Sequence, residues 1–147
     1  MSARQKLWAF ALAGLVFGIT SAAAQQSTSI PRLGYVSSAG GTRSNAQQLE
    51  LVRQGLRELG YIEGKNIVIE YRRVENLDRL PSILSELMQL KIDVLYVGSL
   101  TAIRAAKQAT TTIPIVMMTT ADPVAAGLVD SLARPGGNIT GLTLLIR

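Results

Sequence analysis

Beyond residue 30, apolar positions fall into alternating blocks, some with strand spacing and some with the 3.6-residue spacing of a helix. Residues 31–36 read as a short strand, and a Gly- and Ser-rich loop follows over 37–43. Ser44 with Gln47 three residues later forms a capping box. The helix it opens places Leu49, Val52, Leu56 and Leu59 on one stripe, and Gly60 sits where a helix stop belongs. Residues 67–71 are rich in β-branched side chains with partial alternation, which predicts a strand nearer a sheet edge. Next, Leu80, Ile83, Leu84, Leu87 and Leu90 share a helical face, with Pro81 tolerable in the first turn. Residues 94–97 are almost wholly apolar, as for a strand covered on both sides. An Ala-rich helix over 101–109 and a strand over 113–118, opened by Pro114, come next. A last helix over 122–133, open to a break at Gly127, leads to a fifth strand over 139–144.

Regular βα repetition with short connections implies a parallel sheet, right-handed crossovers and helices on both faces. The expected α/β architecture is flavodoxin-like, with strand order 2-1-3-4-5. In such sheets ligands collect outside the carboxyl ends of the strands, near the point where strand order reverses. Attention therefore falls on three loops. After strand one come Ser37, Ser38, Ala39, Gly40, Gly41 and Thr42. After strand three come Gly98, Ser99, Leu100 and Thr101. After strand four come Thr119, Thr120, Ala121 and Asp122. Two predicted helix starts among them would aim unpaired amides into one crevice, and with the hydroxyls they favour a carboxylate. Each of these residues is also an ordinary cap type. Asp122 is foremost a cap ahead of Pro123, and at a cleft rim it could also meet a ligand amine. Tyr35 and Tyr96 lie within strands and read as core.

Composition narrows the chemistry. Residues 1–24 read as a cleavable export signal: Arg4 and Lys6, an uncharged apolar run over 7–19, then Ala22-Ala23-Ala24. The run is shorter than the roughly 20 residues a membrane-crossing helix needs. Cleavage after Ala24 would deliver the chain to the bacterial periplasm, with 25–30 as a tether. Losing Arg4 and Lys6 reduces the formal charge of +5, and the remaining basic residues form no stripe, so nucleic acid is not an expected partner. The chain has no Cys and no His. That excludes thiol and imidazole chemistry, disulfides and the usual zinc sites. No Gly-rich dinucleotide fingerprint or P-loop occurs. Glu63, Glu70 and Glu75 do not form a believable catalytic pair, and Asn138-Ile139-Thr140 reads as an accidental glycosylation sequon. Neither an enzyme nor a bound cofactor or metal is expected.

Several phrases carry a resemblance. They are Leu33-Gly34-Tyr35-Val36-Ser37, Gln54-Gly55-Leu56-Arg57-Glu58-Leu59-Gly60-Tyr61, Glu63-Gly64-Lys65-Asn66-Ile67 and Ala105-Ala106-Lys107-Gln108-Ala109-Thr110. Asp122-Pro123-Val124 and Pro135-Gly136-Gly137-Asn138 complete the series. In their order and spacing the chain resembles the ABC-transporter substrate-binding proteins, a family that includes the tryptophan-binding type. The resemblance implies one lobe of a two-lobed type I periplasmic-binding fold that closes on a small organic ligand such as an amino acid or carboxylate. On it, residues 31–147 form the N-terminal lobe, the second lobe is absent and the chain looks truncated. An ABC permease would be the membrane partner of the full-length form. Carried over by position, the ligand-binding candidates are Ser37, Ser38, Ser99, Thr101, Thr119 and Asp122, with Gly98 allowing close backbone approach. A sensory or regulatory ligand-binding module of the same fold is the alternative, and a small flavodoxin-like enzyme a third reading.

Overall fold

The computed structural model describes residues 29–38 and 45–144. The expected export signal and cleavage site, most of the expected tether, the Ser44 cap position and the 39–43 part of the first loop lie outside the described residues. Five strands form one sheet: β1 Arg32–Ser38, β2 Val68–Val74, β3 Val94–Val97, β4 Ile115–Thr119 and β5 Ile139–Thr143. Their order is β2-β1-β3-β4-β5, and every pairing is parallel. Among the described residues, three α-helices lie between them: α1 Asn45–Glu58, α2 Leu80–Gln89 and α3 Leu100–Ala109. The expected strand order is the observed one, with β2 at an edge.

The two faces of the sheet differ in character. Val36, Val74, Leu95, Val97, Ile115, Met117 and Ile139 point to one side, where α2 and α3 bring Leu84, Leu87, Ile103 and Ala106 against them. This is the main apolar core. On the opposite side, register places Tyr71, Tyr35 and Tyr96 abreast on β2, β1 and β3. Their rings form a row, Tyr35 stacked on Tyr96 at 4.7 Å and tilted against Tyr71 at 5.6 Å between centroids. The Tyr96 hydroxyl continues the row by donating to Met118 Sδ at 3.6 Å. Helix α1 covers the β2 end of this face, where Leu56 and Ile69 line a common recess.

Tyr35 is core, as its strand pattern predicts, whereas Tyr96 is only half-buried. Burial, with the neighbouring Tyr96 and Tyr71 adding to it, pushes the Tyr35 hydroxyl up to about 12. An unfolded tyrosine ionises near 10, so between pH 10 and 12 the unfolded chain releases a proton that the folded chain retains. Stability supplied by this site is complete below pH 10 and is lost as pH rises towards 12. Melting temperatures should therefore fall over that window. A smaller fall in Tyr35→Phe is the expected comparison, and identical pH curves for the two proteins would contradict it.

Several element boundaries differ from the sequence reading: β1 runs on through Ser37 and Ser38, expected in the first loop, and β2 runs on to Val74. The stop expected at Gly60 does form. Helix α1 ends at Glu58, and Gly60, at φ +87°, closes it with Gly60 N–H donating to Arg57 O and Tyr61 N–H to Leu56 O. This is a Schellman stop, and it throws Leu59 out of the apolar stripe to 76% exposure. Pro114 precedes β4 rather than opening it, its carbonyl accepting from Leu95 N–H.

The largest difference is that the helix expected over 122–133 does not form. Asp122 starts a single turn in which Ala126 N–H donates to Asp122 O and Leu128 N–H to Pro123 O. Gly127 at φ +68° then ends it. That reversal lets Leu128 and Val129 turn inward, where they are buried in the core, and burial outweighs continued helix. Lys107 seals the turn, its Nζ donating to Gly127 O at 2.7 Å. Asn138, the sequon residue, is also used internally: its side-chain amide donates to Ile113 O and Thr110 O.

Candidate functional site

The topology sets β1, β3 and β4 side by side with their carboxyl ends at one edge. Val36 is level with Val97, and Val97 with Met117. The next residues along, Ser37, Gly98 and Met118, are therefore level at the same sheet edge, with Ser99 and Thr119 one step further. The described parts of the three candidate segments, 37–38, 98–101 and 119–122, therefore end or follow strands whose carboxyl ends lie at one edge of the sheet.

Individual residues play different parts. Ser37 is buried, at 4% exposure, and its Oγ shares a 2.8 Å hydrogen bond with the Tyr71 hydroxyl. Ser38 closes β1 opposite Val74. Gly98 is exposed, with open space where a Cβ would stand, so a ligand has access to its backbone. Ser99 caps α3, its Oγ accepting from Ala102 N–H at 3.3 Å. The first-turn amides of Leu100 and Thr101 have no partner within the helix, and the Thr101 side chain is exposed beside them. Thr119 is buried, and its Oγ1 accepts from Ala121 N–H. Asp122 is exposed; its Oδ1 accepts from Val124 N–H at 2.9 Å and Ala125 N–H at 3.1 Å. Among the described residues, Oδ2 has no hydrogen-bond partner.

These positions separate a floor from a rim. Ser37 and Thr119 lie beneath the surface and fix backbone, whereas Gly98, Ser99, Thr101 and Asp122 stand at the edge. The expectation of two helix starts aimed at one crevice needs correction. Helix α3 supplies one, but the 122–126 segment is a single turn and adds a carboxylate rather than a helix dipole. The edge is therefore mixed: amide donors and a hydroxyl from the α3 side, a negative charge from the β4 side. A zwitterion fits such a pair better than a simple anion does.

Two positions escaped sequence reasoning. Tyr71 read only as a strand residue, yet its hydroxyl reaches Ser37 from the neighbouring strand. Thr143 read as part of a terminal strand, yet its Oγ1 donates to Ala121 O at 2.9 Å, next to Asp122. In both cases the signal is a strand register, which no local pattern contains.

The sequence profile described as ABC transporter substrate binding protein matches residues 43–146, well over half of the chain. This chain belongs to the ABC transporter substrate-binding protein family. A curated tyrosine-binding protein of Clostridioides difficile (strain R20291) is 42% identical over 89 residues, which cover 60% of this chain and 26% of that protein. Among solved structures, the ligand-free, open form of a substrate-binding protein with adhesive properties from Clostridium difficile superposes with a TM-score of 0.72 at 28% identity, covering 80% of this chain and 40% of that one. A Streptococcus pneumonia ABC domain in complex with L-Trp matches with a TM-score of 0.70 at 25% identity, covering 78% of this chain and 39% of that one. The chain thus spans about a quarter of the curated relative and two fifths of these structures. Membership makes the edge described above a candidate for small-molecule binding. Among the described residues, no helix is long and apolar enough to cross a membrane.

Proposed function

We propose that this chain is the N-terminal lobe, residues 31–147, of an exported solute-binding protein that hands an amino acid to an ABC importer. The lobe performs no chemistry on its ligand. What supports the reading is that the carboxyl ends of β1, β3 and β4 lie side by side, with the first turn of α3 following β3 and the Asp122 carboxylate following β4. On this reading the first-turn amides of α3, with Ser99 and Thr101, receive the ligand carboxylate, and Gly98 lets it approach the backbone. Asp122 receives its ammonium group. Ser37 and Thr119 hold the floor, and Ser38 ends the strand that shapes it. The full-length protein would work in the periplasm, delivered by the 1–24 signal, with a second lobe completing the cleft and a permease as its membrane partner.

L-Tyrosine and L-tryptophan are the first probes, since a relative's name and a neighbour's complex point to them. A ligand at 100 times its dissociation constant stabilises the fold by about 2.7 kcal/mol, which a thermal-shift assay reads directly. Thr101→Val and Asp122→Ala should each weaken binding by roughly tenfold or more, about the loss of one charge-assisted hydrogen bond. Ser85→Ala, on the exposed side of α2, should leave it unchanged. Equal effects at all three positions would remove the site assignment. A panel of amino acids giving no shift would remove the ligand class.

A further inference from the structure

Asp122 owes its direction to two threonines that lie on neighbouring strands. Thr119 and Thr143 are register partners on β4 and β5. Thr119 Oγ1 accepts from Ala121 N–H at 3.1 Å, while Thr143 Oγ1 donates to Ala121 O at 2.9 Å. Leu144 N–H donates to Thr119 O at 2.8 Å, which ties the end of β5 to the same turn. Both backbone groups of Ala121 are thus held by hydroxyls. Because the peptide joining Ala121 to Asp122 is planar, fixing its carbonyl also fixes the Asp122 N–H and limits where the Asp122 side chain can point.

We propose that Thr143 is a positioning residue for ligand binding: it grips the Ala121 carbonyl and so aims the Asp122 carboxylate across the rim. The inference rests on the assignment of Asp122 as a ligand contact. Thr143 itself need not touch the ligand. Its position on an edge strand makes the role separable from stability, because valine has the same shape and at least equal strand preference there. A Thr143 that served only by packing would tolerate that exchange. A positioning Thr143 would not, since only the hydroxyl can donate to the carbonyl.

The test uses the full-length chain with L-tyrosine and L-tryptophan as probes, measuring affinity by titration calorimetry in Thr143→Val and Thr143→Ser. The expected result is roughly tenfold weaker binding in Thr143→Val, with the affinity largely restored in Thr143→Ser. In the unliganded protein, the Asp122 amide nitrogen shift, which senses hydrogen bonding at the preceding carbonyl, should move in Thr143→Val and stay near its original value in Thr143→Ser. Unchanged affinity in Thr143→Val overturns the inference, as does an equal loss in both variants, which would assign the effect to packing. Should Asp122→Ala bind as well as the parent, the site assignment fails instead; an unmoved Asp122 shift in Thr143→Val would then also dismiss the grip itself.

Discussion

Gly141→Ala is expected to lower the melting temperature by roughly 10 °C or more, or to detach β5 from the sheet. Gly141 pairs with Met117 across β4 and β5 at φ +144°, a backbone conformation that L side chains rarely adopt. A Cβ added there would lie 1.9 Å from Met117 O and 2.7 Å from Met117 N. These are backbone atoms of a central strand, so no side chain can swing aside to make room. Backbone strain of this kind costs about 1–3 kcal/mol, and the clash adds about as much again. For a domain near 100 residues each kcal/mol is worth about 4–8 °C. Calorimetry gives the melting temperature, and amide exchange along β5 tells global loss from local detachment. Detachment would also release Thr143 from Ala121, so affinity for an amino acid should fall with it. A Gly141→Ala protein with the parent's melting temperature and β5 protection would contradict the β4–β5 register.

Leu95→Ala should destabilise the fold by about 2–5 kcal/mol. Leu95 is fully buried on the central strand β3, and α2 and α3 complete the core around it. Neighbouring atoms are already close: a Cβ at Gly34 would sit 2.8 Å from Ile92 Cδ1 and 3.2 Å from Leu95 Cδ1. Glycine on β1 is what lets these two side chains fill the space. Truncating Leu95 therefore leaves a cavity that the rigid strands cannot close. Leu142→Ala is the control. That leucine is 69% exposed on the edge strand, and its loss should change stability by no more than about 0.5 kcal/mol. Denaturant titration of the two variants checks the contrast, and similar midpoints would mean that Leu95 is not at the centre of the core.

Local patterns carried most of the architecture. Apolar runs at 94–97 and 113–118, leucine spacing through 80–90 and glycine at 60 each act within a few residues. The flavodoxin-like strand order expected for βα repetition is the one observed, and it sets the carboxyl ends of β1, β3 and β4 side by side. The same local reasoning failed at 122–133, where helix spacing was real but the reward lay elsewhere. Leu128 and Val129 gain more from entering the core formed by distant strands than from extending a turn already interrupted by Gly127.

The sequence by itself determined the fold class and the family, because periodicity, caps and stops are short-range properties of the chain. Only the tertiary structure decided which hydroxyls lie at the rim and which lie beneath it. Ser37 and Thr119 looked like Ser99 and Thr101 until strand pairing buried the first two and left Thr101 in the open. Tyr71 and Thr143 gained their partners the same way, from residues 34 and 22 positions distant. Such contacts depend on which strands lie side by side and in what register, and that is settled by the burial of the whole sheet rather than by any segment of it.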